Sequence, residues 1–168
     1  MAVKSWNVGD VLSAADMNAW TVPLAVVKPS DTGRNTTTTP AADPDLTLPV
    51  AAGASYEVRA TIQYKGGTNG SSDAQFGLSA PSGSTGFVIV TRQQITSFPT
   101  TTTDRNALGS VSNAGTNGTG NTLPCRIDAV VNVGGTAGNV AVIWAQNTSS
   151  GTNTTVITNS ALVAQRIG

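Results

Sequence analysis

From Ser55 to Lys65 the chain alternates without a break: Tyr56, Val58, Ala60, Ile62 and Tyr64 fall on one side, and Glu57, Arg59, Thr61, Gln63 and Lys65 on the other. A repeat of two is the signature of a β-strand, and a helix cannot present that pattern to a core. This stretch therefore commits the chain to a sheet with one buried face and one wet face.

Similar but shorter signals follow along the chain. Leu46 and Leu48 flank Thr47 before Pro49, and Gln75 to Ala80 places Phe76 and Leu78 inward. Gly86 to Ile95 sets Phe87 and Ile89 opposite Val88 and Val90, so both faces are apolar and the strand is expected to be covered on both sides. Phe98 to Thr119 is long and polar, and predicts two loops around one short strand near Ala107 to Val111. Thr122 to Val133, Asn139 to Asn147 and Thr154 to Ile167 are three further strands. Their turn-rich links predict a meander. Abundant Thr favours strands, and abundant Asn, Ser and Gly favour turns. With about eight strands and no helical pattern after Trp20, the expected fold is all-β: a single antiparallel β-sandwich of jelly-roll type over residues 40–168.

Residues 1–39 read differently, as an extended N-terminal arm. Ser13-Ala14-Ala15-Asp16 fits a capping box with Asp in the place of Glu, predicting one short helix at about residues 14–20. Met17 and Trp20 share a face of it, and Trp6, Val8, Val11 and Leu12 precede it in extended chain. One or two turns of helix do not persist alone in water, so these six apolar residues must dock, either on the chain's own domain or on a neighbour. Val22 to Val27 reads as a first strand or a strap, and Ser30 to Asp45, with its run of threonines, as a solvent-facing or surface-crossing connection.

Composition excludes much chemistry. At 168 residues the chain has room for one domain with a sizeable core. Nine basic and nine acidic groups cancel, so no bulk field draws nucleic acid or an anionic membrane. No window approaches the ~18 apolar residues of a membrane span, and no basic region followed by an apolar core opens the chain, so a soluble, unanchored protein without a classical signal is expected.

The lone Cys125 cannot form an internal disulfide, and without histidine there is no ordinary serine triad and no usual transition-metal site. Cys125 is expected as a small core residue. The candidate carboxylates for a glycosidase-like pair are Asp43 with Asp45, and Glu57, Asp73, Asp104 or Asp128 in any spatial pairing. Asp43-Pro44-Asp45 reads as a turn, and Glu57 beside Arg59 as a surface or interface pair. Gly66-Gly67 and Gly134-Gly135 precede no helix and are hairpin turns, not phosphate loops. Several Asn-x-Ser/Thr triplets are chance products of an Asn- and Thr-rich chain. Trp144 is expected in the core, and Tyr56 and Tyr64 at the sandwich edges with hydroxyls reaching water. No catalytic, cofactor or metal site is expected.

The segment Trp6-Asn7-Val8-Gly9-Asp10-Val11-Leu12-Ser13-Ala14-Ala15-Asp16-Met17-Asn18 resembles the W-x-x-G-D-x-L-T-A-A-x-x-N opening of many virion structural proteins of tailed bacteriophages, especially those of actinobacterial hosts. Lys28-Pro29-Ser30-Asp31, Asp43-Pro44-Asp45-Leu46-Thr47-Leu48-Pro49, Ala54-Ser55-Tyr56-Glu57-Val58 and Ala80-Pro81-Ser82-Gly83-Ser84-Thr85-Gly86 are similar to the same family's arm and first strands. The resemblance covers the first half of the chain and implies a head-decoration, head-fibre or minor tail component, often trimeric.

Under that resemblance the expected function is non-enzymatic: a capsid decoration protein on the virion surface, made in the host cytoplasm. It would self-associate as a homotrimer and bind the major capsid protein, with Trp6, Val8, Val11, Leu12, Met17 and Trp20 as anchors. Buried apolar surface at ~25 cal/mol per Å2 would hold the arm on the head. The other expectation is a tail module that binds host carbohydrate through the polar loops of residues 97–121.

Overall fold

The computed structural model describes residues 7–11, 13–14, 22–67, 73–95 and 99–168. Among them are twelve strands: β1 (Leu24–Val27), β2 (Thr32–Arg34), β3 (Ala41–Val50), β4 (Ser55–Lys65), β5 (Ala74–Ser79), β6 (Thr85–Gln93), β7 (Thr101–Asn106), β8 (Val111–Ala114), β9 (Leu123–Asn132), β10 (Gly138–Gln146), β11 (Thr154–Val156) and β12 (Ala161–Arg166).

The eight central strands pair as nested antiparallel couples. β6 pairs with β7, β5 with β8, β4 with β9 and β3 with β10, as though one long hairpin had been rolled up. Rolling splits the couples between two sheets, one ordered β3-β10-β5-β8 and the other running β1-β12-β4-β9-β6-β7, with β11 and β2 attached beyond β4. The result is a β-sandwich. The expected meander of the last strands does not form, because β9 belongs to the larger sheet and β10 to the smaller one.

The alternating strand behaves as its sequence demands. In β4 the residues Val58, Ala60, Ile62 and Tyr64 are buried, while Arg59, Thr61 and Gln63 are exposed. The same parity in β9 buries Cys125, Ile127, Ala129 and Val131 beside them. The facing sheet supplies Leu46, Phe76, Leu78, Val140, Val142 and Trp144, which close the core. At Gly86 the backbone takes φ +145, and a Cβ there would lie 2.0 Å from the Val130 carbonyl oxygen, so the β6–β9 approach requires glycine.

Several expectations need correction. The strand expected within Val22 to Val27 forms as β1, but residues 24–34, grouped with the arm on sequence grounds, are hydrogen-bonded into the larger sheet: β1 pairs with β12, and β2 with β11. The run Thr36 to Thr38 straps the end of the smaller sheet, with Gln146 N–H donating to Thr37 O and Gln75 Nε2 to Thr38 O. Where one strand was expected near Ala107 to Val111 there are two, β7 and β8, joined by a turn in which Ser110 N–H donates to Ala107 O. β7 (TTTDRN) escapes a hydrophobicity reading because as an edge strand it has only β6 beside it, and its polar side chains need no cover. Of the expected helix at 14–20, residues 15–20 lie outside the described residues.

Candidate functional site

Of the six apolar arm residues, Val8 and Val11 are described, and both are fully solvent-exposed, at 109% and 86%. Trp6, Leu12, Met17 and Trp20 lie outside the described residues. Between the two valines, Asp10 closes a tight turn: its N–H donates to Asn7 O, and its carboxylate accepts the Asn7 N–H at 2.8 Å. Gly9 takes φ +98 at the tip.

The strongest concentration of charge is a structural clamp. The pairing of β3 with β10 shifts register between Ala141 and Ile143, so β3 bulges across Asp43 to Leu46 and turns the Asp43 side chain inward. Its Oδ1 accepts Lys28 Nζ at 2.9 Å, Asp45 N–H at 3.0 Å and Leu46 N–H at 3.2 Å, and its Oδ2 accepts the Trp144 indole N–H at 2.9 Å. Lys28 also donates to Asp45 Oδ2 at 2.7 Å. Burial pushes the Asp43 carboxyl up, but the Lys28 ammonium, the Asp45 N–H and the Trp144 indole together hold it below its ordinary value.

Arg34 completes the cluster. It stacks 4.1 Å over the Trp144 ring and donates to the carbonyls of Ala41, Ala42 and Trp144. Burial pulls its guanidinium below the ordinary value, and the Asp43 charge offsets part of that shift. Two cations and two carboxylates thus cancel at the rim of the sandwich, fastening β1 and β2 to the opposite sheet. The Asp43-Pro44-Asp45 turn expected from sequence is a bulge inside a strand. Its first carboxylate accepts four protein donors, three at Oδ1 and one at Oδ2, the pattern of a structural clamp.

The remaining carboxylates are also engaged. Asp73 Oδ1 accepts Thr116 N–H at 2.8 Å and its hydroxyl at 3.1 Å. Glu57 accepts Arg59, Asp104 accepts Arg92, and Asp128 accepts Arg126 through two nitrogens at 2.8 and 2.9 Å. Among the described residues no group of three or more Cys, Asp or Glu converges as a metal site, and no helix is long and apolar enough to cross a membrane. Cys125 is buried, and burial pushes its thiol up to about 12.

The tyrosines depart from expectation. Tyr64 is fully buried, meets Phe76 edge-to-face at 4.9 Å and donates its hydroxyl to Gly115 O at 2.7 Å. The Tyr56 hydroxyl accepts the Ala51 N–H at 3.0 Å. The Tyr64 hydroxyl is spent inside the protein, and both hydroxyls meet backbone of the loops that follow β3 and β8.

Shallow recesses also lie among the described residues. One, of about 310 Å3, is polar and lined by Arg92, Gln94, Ile95, Thr102 and Asn113; the buried Arg92 Nε beside it has no acceptor. Two more, of about 260 and 270 Å3, lie on the outer face of the larger sheet and share Glu57. The doubly apolar pattern at Phe87 to Val90 pointed to this outer face, although among the described residues the strand is fully buried on its inner side alone.

No protein-family model matches the chain, and no curated protein matches it. Among solved structures it is similar to the tripod from the baseplate of bacteriophage Tuc2009, at 12% identity and TM-score 0.34, over 98% of this chain and 78% of that one. It is also similar to the infectious bursal disease virus Gt strain structure, at 13% identity and TM-score 0.22, over 88% of this chain and 38% of that one. The VP2 subviral particle of the same virus follows at 8% identity and TM-score 0.21, covering 88% of this chain and 37% of that one.

Proposed function

We propose that the chain is a non-enzymatic structural protein of a tailed-phage virion: a capsid decoration protein whose jelly-roll body stands on the head while its N-terminal segment holds it there. The observation that carries this reading is the contrast between the two parts of the chain. In the body, the candidate carboxylates are paired with protein donors and the thiol is buried. In the N-terminal segment, Val8 and Val11 stand in solvent within the stretch that resembles phage virion proteins. Exposed valines at a tight turn are inexpensive to bury on a partner, since each brings apolar area with little ordering cost.

The nested pairing of β3 to β10 is the strand order of an eight-stranded jelly roll, an architecture that viral capsid proteins and lectins share; that support is analogy at the level of fold. Because β1 and β2 belong to the sandwich, the attachment segment on this reading is residues 1–21. The partner is the major capsid protein, with many copies strengthening a weak contact through effective concentration. The test is to strip the protein from particles and re-add a version lacking residues 2–21. Loss of head binding is expected with the body still folded, and undiminished binding refutes the assignment.

A second reading is a tail-associated module that binds host carbohydrate. The polar recess at Arg92, Gln94, Thr102 and Asn113, where a buried Nε lacks an acceptor, favours it. Binding on a glycan array that is abolished by Asn113→Ala would select this reading over the first.

A further inference from the structure

The outer face of the larger sheet is not what an ordinary wet face should be. In β6, Val88 and Val90 are fully buried in the sandwich, whereas Phe87 and Ile89 on the other side are only half-buried: no further sheet of described strands covers them, and the Arg105 guanidinium of β7 lies 5.1 Å from the Phe87 ring centroid. Val130 and Ile167 join them in one shallow apolar recess. On the opposite flank, Val163 of β12 and Val27 of β1, the latter 57% exposed, make a second apolar strip. Between the strips runs a charged stripe on β4 and β9: Glu57 with Arg59, and Arg126 with Asp128.

We propose that this face is an interface between two copies of the chain, related by a twofold axis lying along the strands between β4 and β9. Along the main path of the sheet that axis divides β1-β12-β4 from β9-β6-β7, with β11 and β2 added on the β4 side. The pairing registers then say what meets what. Arg59 lies opposite Asp128 within the sheet, so the twofold sets each Arg59 over the Asp128 of the second copy, twice per interface. In the same row Val163 pairs with Arg59 and Ile89 with Asp128, so Val163 of one copy falls over Ile89 of the other. One row along, Gln165 covers Phe87.

In the central row charge thus meets opposite charge and Val163 meets Ile89, while the flanking rows set Glu57 over Val130 and Thr61 over Arg126. A partner of another kind would need to supply this pattern independently, whereas a second copy carries it already. Sheet twist turns the two faces by about 30°, which leaves the central rows nearest register. Six strands of 4 to 11 residues, at ~4.8 Å spacing and ~3.4 Å per residue, give roughly 750 Å2 of face, close to the ~800 Å2 per partner of a stable interface. The proposal does not depend on what the N-terminal segment binds.

Arg59 and Asp128 are 59% and 34% exposed, and each keeps another partner on its own strand, so reversing either charge leaves the core untouched. The experiment is sedimentation of the full chain, of Arg59→Asp, of Asp128→Arg and of an equimolar mixture of the two variants, with circular dichroism to confirm folding. The full chain should sediment as a dimer. Each variant alone should be monomeric, because like charges then oppose each other twice, and the mixture should recover a one-to-one dimer, because the reversed charges pair across the axis. A monomeric full chain, a trimer, or a dimer indifferent to both substitutions overturns the proposal; a monomer would mean that the chain's own N-terminal residues or a different partner covers the face.

Discussion

The Trp144 indole N–H donates to Asp43 Oδ2 at 2.9 Å, joining two fully buried residues 101 positions apart in the chain. Trp144 lies on β10 and Asp43 on the bulge of β3, so this bond fixes how the bulge sits on its neighbour. Trp144→Phe keeps most of the ring volume and removes the donor. The loss leaves a buried carboxylate oxygen unsatisfied and should cost about 1–3 kcal/mol in denaturant unfolding. A change below the error of the measurement would show that Lys28 and the two backbone N–H groups suffice.

Lys28 should matter more. Its ammonium is fully buried between Asp43 and Asp45, and removing one partner of a buried pair leaves the other charge without compensation. Lys28→Met should destabilise the fold by about 3–5 kcal/mol, again read from denaturant midpoints. Arg126→Gln, which removes one partner of a solvent-exposed pair, should move the midpoint far less.

The same carboxylate predicts the acid response. The folded pKa of Asp43 lies below its ordinary value, so its stabilising contribution is complete above the unfolded value of ~3.9 and is lost as pH falls through the folded value. The urea midpoint should therefore drop on acidification below about pH 5. Asp43→Asn should be less stable than the native chain at pH 7 and should lose less between pH 5 and pH 2. Parallel losses in the two proteins would assign the acid sensitivity elsewhere.

What the sequence disclosed follows the reach of each interaction. β4 is legible because its alternation is local and continuous, and its expected ends, Ser55 and Lys65, are those observed. Cys125 reads correctly as core because its neighbours Ile127, Ala129 and Val131 share its parity. Asp43-Pro44-Asp45 misleads because Asp and Pro favour turns by themselves, and only partners 15 and 101 residues away turn the segment into a clamp. The outer face was half legible: Phe87 to Val90 announced a doubly apolar strand, but which residues lie beside it depends on the nested pairing of strands distant in sequence. The arm's anchors were chosen on composition, and of these Val8 and Val11 are seen exposed.

Gly86 tests the nested pairing itself. Its φ of +145 disfavours any side chain, and a Cβ would meet the Val130 carbonyl oxygen at 2.0 Å. Gly86→Ala should lose about 1–3 kcal/mol to strained backbone, with a comparable overpacking cost added. Gly135→Ala, where a Cβ meets nothing within 4 Å, is the control and should stay close to the native midpoint.

Cys125 offers a probe of opening without any mutation. The thiol is buried against the larger sheet, and burial pushes it up to about 12, so at pH 8 it carries almost no thiolate and no reagent reaches it. Its partner in the ladder is Ile62 on β4, the central strand pair of the sandwich, so exposing it requires β4 and β9 to separate or the sandwich to open. Reaction with a thiol-specific disulfide reagent should therefore be negligible in the native protein and stoichiometric in urea. Its rate at sub-denaturing urea should also track global unfolding, slowing in stabilised variants and accelerating in Lys28→Met. Rapid labelling of the native chain, with no dependence on urea, would show a local opening of β9 that the buried ladder does not permit.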